Sequence, residues 1–546
     1  MIELTEQEIE SGLNSAKTSR KYDYLVLFLL SILQIFLHSN SSAYPILFKQ
    51  PRFICNSLNE TTNEVIFFNR NCSKFEVCSK NLTKGLDFVI NENSLDSLVA
   101  ELDIYCNPFQ ISVLESAIFA GPALSILLTP YLLNNLGPIY TLKICGSVYV
   151  CFMLLLFQMK NIFLVTVSFY GIFICTYTMY NCKSIYIVEM CESKKRSLFY
   201  GILNVNSGIA GIFVVIVIQY FNDIKIIFFC NVLAIIFVIL VVHFKVVESI
   251  RFSFLNKEYN NIVRDLRIIA EFNQNSDKYE EWLIQVNEGD NVKYDLLNIS
   301  HDKINDKEVE LNNVETNDES FEKANQNSRE GKKSKYSKAL KNINFFSILR
   351  FKSQIKTIII FTFVIFTIKF SNVFLLLELG HTKTLNNMIL FFCIDSITNI
   401  VSAILVEKPW IGRKKFTFFV MVINGLLFLF GFFWYRNNKY NFLLNLINRI
   451  FVSGGLTVIL LYNFESYPTL IRATSSSFNK FFAMLFNIFT PYLITSFRLI
   501  MFLISAALFF IGSYLVLGLK ETQGRKLKEL PPEIADHDKK EQTTIN

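Results

Sequence analysis

The chain has 546 residues, 52% of them hydrophobic, with 55 Phe and a mean hydropathy of +0.36. A water-soluble fold needs a more polar surface than this composition supplies, so lipid is the expected solvent. The formal net charge of +7 does not point to nucleic acid, because the basic residues gather in short loops and the tail, at Lys194-Lys195-Arg196, Arg413-Lys414-Lys415 and Arg525-Lys526, as expected on the cytoplasmic side of a membrane.

A polar N-terminus, residues 1–23, precedes twelve apolar stretches. They lie at Tyr24–Leu47, Ile111–Leu133, Tyr140–Phe157, Ile162–Lys183, Phe199–Phe221, Ile224–Phe244, Thr357–Leu377, Asn386–Val406, Phe416–Tyr435, Phe442–Tyr462, Ser475–Thr495 and Leu499–Gly518. Each is close to the roughly 20 residues that cross the hydrocarbon, and a dozen crossings take roughly 240 residues. The first is read as a retained span, not a cleaved signal peptide, because its leader from Met1 to Lys21 is long and rich in acids. Residues 24–244 and 356–518 hold six spans each, divided by a charged segment 245–355 and followed by a tail 519–546. The expectation is an all-α polytopic membrane protein of twelve transmembrane helices in two six-helix halves, with both termini cytoplasmic.

The longest outward segment, residues 48–108, holds Cys55, Cys72, Cys78 and Cys106, whereas the other seven cysteines lie in or beside apolar stretches. Four cysteines in one exofacial loop fit disulfides, with three pairings open. No metal site is expected, since the Cys72/Cys78 spacing is wide for a zinc knuckle and the loop has no His. Acceptor triplets for glycosylation begin at Asn59, Asn71 and Asn81, and only the lumenal side can use them.

Glu101-Leu102-Asp103-Ile104-Tyr105-Cys106 resembles the Glu-Trp-Asp-Leu-Val-Cys entrance to the second helix of the organic cation/anion transporters, a branch of the major facilitator superfamily. Glu248-Ser249-Ile250-Arg251-Phe252, with Ile268-Ile269-Ala270-Glu271-Phe272-Asn273 beyond it, is similar to that family's Glu-Ser-Pro-Arg-Trp element and its continuation. Glu465-Ser466-Tyr467-Pro468-Thr469-Leu470-Ile471-Arg472 resembles Glu-Leu-Tyr-Pro-Thr-x-x-Arg, and Glu521-Thr522-Gln523-Gly524-Arg525 resembles the Pro-Glu-Thr-Lys-Gly exit. The resemblance covers nearly the whole chain. It implies the major facilitator fold, a plasma-membrane location, a small organic ion as substrate, no cofactor, and function as a monomer in the bilayer.

The spacing of Glu189 and Arg196 after the fourth span repeats that of Glu465 and Arg472 after the tenth, as internal structural repeats require. Such acids and bases are expected to pair between halves as a gate, although exposed ion pairs alone are worth only about 0–1 kcal/mol. The family's Asp-Arg-x-Gly-Arg-Arg loop is replaced in the first half by Asn134-Asn135-Leu136-Gly137-Pro138-Ile139, without charge. In the second half Glu407 and Arg413 survive around Gly412, two residues displaced.

Charges inside spans cost roughly 2.5–3.5 kcal/mol at the bilayer centre and mark cavities or partners. Lys369, Asp395, Arg449 and Lys480 are the candidates; Asp395 and Arg449 fall where the resemblance implies an acid and a base. An internal Asp395–Arg449 or Asp395–Lys369 pair is the structural alternative. Met484, seven before Pro491, stands where relatives place the residue that sets charge preference, and the stripe Lys480, Met484, Asn487, Pro491 is expected to face the cavity. That stripe favours an organic anion, while Asp395 keeps cations and zwitterions open. Tyr170, Tyr177 and Tyr180 are read as core or lipid contacts, and Gly201, Gly208 and Gly211 as close helix contacts.

No nucleotide loop or zinc-protease helix is present, so catalysis is not expected. Facilitated diffusion or exchange by alternating access is the expected function, with a non-transporting sensor or scaffold as the alternative. In the dividing segment, Ile262, Leu266 and Ile269 have helical spacing, and residues 298–341 have the composition of a disordered tether.

Overall fold

The computed structural model describes residues 6–17, 20–48, 51, 53–58, 65–72, 77–78, 86–90, 97–157, 161–191, 195–289, 351–380, 385–434 and 438–524. Asn59, Asn81 and the expected tether at 298–341 lie outside the described residues. The chain forms two compact units, residues 1–25 with 250–343 and residues 26–249 with 344–546.

The smaller unit contains α1 (Glu6–Ala16) and, from the dividing segment, α10 (Ile250–Leu255), α11 (Tyr259–Asn273) and α12 (Ser276–Gly289). Ile262, Leu266 and Ile269 are fully buried, as their spacing predicts. The sequence signalled no helix at α1. It forms because Gly12 lets the Trp282 indole lie against it, with Trp282 Nε1 donating to the Glu8 carbonyl at 3.1 Å, and because Asn273 Nδ2 donates to the Ala16 carbonyl at 2.8 Å.

The larger unit is built from twelve long helices: α2 (Lys21–Ser42), α5 (Pro108–Leu136), α6 (Pro138–Leu156), α7 (Ile162–Met190), α8 (Arg196–Phe221) and α9 (Lys225–Lys245), then α13 (Lys352–Gly380), α14 (Leu385–Val406), α15 (Gly412–Trp434), α16 (Asn438–Glu465), α17 (Thr469–Asn487) and α18 (Thr490–Val516). Among the described residues eleven of these are long and apolar enough to cross a membrane, and α17 is the exception. Several run well past the apolar stretch that marks them. The helix after the third span boundary, α7, continues to Met190 rather than ending near Lys183.

Helix starts follow local chemistry. Asn107 caps α5 by accepting from the Gln110 N–H, with Pro108 in the first turn, and Asn161 caps α7 through the Phe163 N–H. A single residue, Gly137, separates α5 from α6, and its φ of 81° is the left-handed conformation that favours glycine. The eleventh and twelfth helices part at Ile488-Phe489, so Pro491 sits in the first turn of α18 and not within α17 as expected.

The two halves meet where α5 packs on α17 and α8 packs on α14. At the second contact Gly201 abuts Ala403, Gly211 abuts the Phe392 ring, and a Cβ on Gly208 would stand 2.5 Å from the Phe392 carbonyl oxygen. Between α2 and α5, β1 (Phe53–Leu58) lies between β2 (Val65–Cys72) and β3 (Leu86–Ile90) in an antiparallel sheet, after the four-residue α3 (Tyr44–Leu47) and before α4 (Leu98–Glu101). The sequence reading placed no strands there. Cys78 is disulfide-bonded to Cys106, and Cys55 and Cys72 lie on neighbouring strands opposite Arg70 and Phe53. Asn71 lies on β2 opposite Ile54.

Candidate substrate cavity and gate

At one end of the larger unit, the last turns of α7 and α16 bring carboxylates to the first turns of α17, α8 and α15. Arg472 Nη1 donates to Glu189 Oε1 at 3.0 Å, and Arg196 Nη1 meets Glu465 Oε1 at 3.4 Å. Each pair joins one half to the other. Arg413, fully buried, donates from Nε to Glu465 Oε2 at 3.2 Å, and from Nη2 to Glu407 Oε1 at 3.1 Å and Ser197 Oγ at 2.7 Å. All six gate candidates therefore fall in one layer.

The layer repeats itself by half. Tyr186 Oη donates to the Val247 carbonyl and Ser249 Oγ to Glu189; Tyr462 Oη donates to the Lys520 carbonyl and Thr522 Oγ1 to Glu465. Glu248 accepts from the N–H groups of Ile139 and Tyr140 at the start of α6, as Glu521 accepts from those of Arg413 and Lys414 at the start of α15. A carboxylate at a helix N-terminus satisfies orphan donors and meets the positive end of the helix dipole. Burial nonetheless pushes the Glu248 carboxyl up to about 7, the neighbouring Glu189 adding to the rise and the N–H donors opposing it. The halves differ at one point: Pro138 follows Gly137 where Arg413 follows Gly412, so the first half contributes no guanidinium there. Asn134 Nδ2 reaches Thr474 Oγ1 across the seam at 3.5 Å instead.

Deeper in, α2, α5, α7 and α8 of one half and α13, α14, α16 and α17 of the other enclose a cavity. Asp395 and Arg449 form an ion pair at 2.8 Å on its wall, with the guanidinium also donating to Asn372 and resting 4.5 Å from the Phe391 ring centroid. This is the internal pair that stood as the structural alternative, and both members still line the cavity. Lys369 lines it as well, in no ion pair among the described residues. Met484 and Asn487 line it from α17.

Lys480 does not. Buried at 4% exposure, it donates to Asn181 Oδ1 at 2.7 Å and lies 4.5 Å from the Phe464 ring centroid, so the expected four-residue stripe splits: Lys480 is held by α7, and α17 ends before Pro491. Tyr177 and Tyr180, read as core or lipid contacts, are cavity walls; Tyr170 instead shares a hydrogen bond with Ser116 at 2.9 Å.

The solved proton:xylose symporter XylE of the major facilitator superfamily, bound to 6-bromo-6-deoxy-D-glucose, follows the same course with a TM-score of 0.59, over 93% of this chain and 98% of that one, at 12% identity. The chain has the major facilitator fold. It is a multi-pass membrane protein. No family model matches the chain, and no curated protein matches it in sequence.

Within this major facilitator fold several cavity groups carried no distinct sequence signal. His38 packs its ring 5.6 Å from that of Tyr180, whose hydroxyl donates to Asn204 Oδ1 at 3.2 Å. Asn399 donates to the Asn204 carbonyl at 3.1 Å and accepts from Thr457 Oγ1 at 2.7 Å, linking α8, α14 and α16. Amides inside apolar stretches were the available signal. Only their placement on the seam distinguishes them from ordinary helix contacts.

Proposed function

We propose that the protein carries small organic ions across a membrane by alternating access, with organic anions preferred. The observation that carries this is the charge state of the cavity wall: Asp395 is neutralised by Arg449, which leaves Lys369 as a cation without an acid partner among the described residues. Asn204 Nδ2 and Asn487 Nδ2, both on the wall, are buried donors with no acceptor among the described residues. An anionic group supplies acceptors to all three. Two six-helix halves that share a cavity and exchange ion pairs at one end support rocking about a midplane site. The motifs resembling the organic cation/anion branch support the substrate class. The basic loops support a cytoplasmic position for the ion-pair end and both termini; the plasma membrane and function as a monomer are the reading that the family resemblance supports.

Uptake of radiolabelled aryl carboxylates and quaternary ammonium compounds into proteoliposomes tests this. Saturable anion uptake, lost in Lys369→Ala, is expected. Cation uptake without anion uptake overturns the charge preference, and solute binding without flux favours the non-transporting sensor, to which the missing guanidinium at Pro138 also points.

A further inference from the structure

Among the described residues, Lys183 and Lys480 are buried lysines that neither the gate nor the cavity uses. They come from opposite halves, α7 and α17, with 1% and 4% exposure, and neither is in an ion pair with a carboxylate among the described residues. Lys183 donates to Gln34 Oε1 and lies 4.4 Å from the Tyr180 ring centroid; Lys480 donates to Asn181 Oδ1 and faces Phe464. Both amides that accept from the lysines have buried NH2 groups, Gln34 Nε2 and Asn181 Nδ2, without an acceptor among the described residues. The two lysines are near enough to interact electrostatically, and they and the two orphaned amide donors are buried with no anionic partner among the described residues.

Helix geometry fixes its position. Tyr180 and Met484 line the cavity, and Lys183 and Lys480 lie three and four residues from them, toward Glu189 and Arg472. At 1.5 Å per residue that is one turn below the cavity floor, between it and the gate. The Lys480–Asn181 bond spans the seam, so parting the halves at the gate end would break it.

We propose that Lys183 and Lys480, with the amide groups of Gln34 and Asn181, form a second anion site for one oxyanion group of carboxylate or sulfate type, separate from the cavity cations Lys369 and Arg449. The group belongs either to a free inorganic anion or to the second acidic end of a dianionic solute. The proposal concerns binding and stands whether or not the cavity carries solute.

Thermal unfolding of the purified full chain in nanodiscs provides the test, with sodium sulfate as one probe and benzene-1,3-disulfonate against benzenesulfonate as the other. A sulfate-induced rise in Tm that is lost in Lys183→Gln and Lys480→Gln but kept in the paired variant Asp395→Asn/Arg449→Gln supports a free-anion site. No sulfate effect, with the disulfonate stabilising more than the monosulfonate and that excess lost in the same two variants, supports a solute-borne group. Lys183→Arg and Lys480→Arg retain the charge and are expected to retain either effect, which separates binding from a folding defect. Anion effects that are absent, or indifferent to Lys183 and Lys480, or abolished only by Asp395→Asn/Arg449→Gln, overturn the proposal.

Discussion

Arg449 and Asp395 hold each other inside the larger unit at 2.8 Å, which makes each essential to the other's burial. Truncating one partner of a buried pair leaves an uncompensated charge and costs about 3–5 kcal/mol. Arg449→Ala is therefore expected to lower the unfolding temperature strongly and to abolish uptake. Asp395→Asn/Arg449→Gln is expected to recover most of the stability but not the uptake, which separates folding from substrate contact in paired unfolding and flux assays. Glu248 makes a different demand. Its folded-state carboxyl is raised to about 7 from the ordinary 4.5, so its contribution to stability is complete below 4.5 and is lost as pH rises through 7. The slope is at most about 1.4 kcal/mol per pH unit. Glu248→Gln, which keeps an acceptor for the α6 N–H groups, is expected to flatten the dependence of Tm on pH between 5 and 7. At this scale the sequence was informative where a charge fell within an apolar run, as at Asp395, Lys369 and Arg449. It was silent on Lys183, because the apolar run ends there and puts the lysine at a boundary, whereas α7 continues two turns further.

Helix contacts were legible where small residues recur, and only in part where polarity decides them. Gly201, Gly208 and Gly211 marked a close approach, and they sit where α8 meets α14. Gly208→Ala places a methyl against the Phe392 carbonyl and the Ser396 N–H, backbone groups that cannot swing aside. Overpacking of that kind costs about 1–3 kcal/mol, and a lowered Tm with slowed flux is expected. The repeated spacing of Glu189 with Arg196 and of Glu465 with Arg472 was visible in the chain, but not that each arginine serves the other half's acid. That exchange depends on the halves facing one another, which no local spacing encodes. The small sheet between α2 and α5 went unseen because its short strands, interrupted by polar turns, have no long alternating run.

For the whole molecule, the six-and-six division of apolar stretches was the most legible feature, and the fold follows it. Among the described residues the ion pairs between the halves lie at one end, so weakening that layer is expected to bias the molecule toward opening there. Arg472→Ala should lengthen distances between spin labels at the gate ends of α7 and α17, and the charge swap Glu189→Arg/Arg472→Glu should bring them back. The polarity of α17 has a bearing on how the protein is made. Arg472, Ser475, Ser476, Ser477, Asn479 and Lys480 fill its first three turns, and once assembled Asn479 is satisfied by Asn463 and Thr362 while Lys480 finds Asn181. Those partners lie on α7, α13 and α16, made before α17, so they can satisfy it only where those helices are already assembled to receive it. A helix with that composition partitions poorly into lipid alone. Its entry must then be assisted by apolar α18 and by α5 and α13 already in place, so the carboxyl-terminal hairpin enters the bilayer as a unit. In a translocon insertion assay α17 alone is expected to pass through to the lumen, and to be retained when α18 follows it in a chain that already contains the first ten spans.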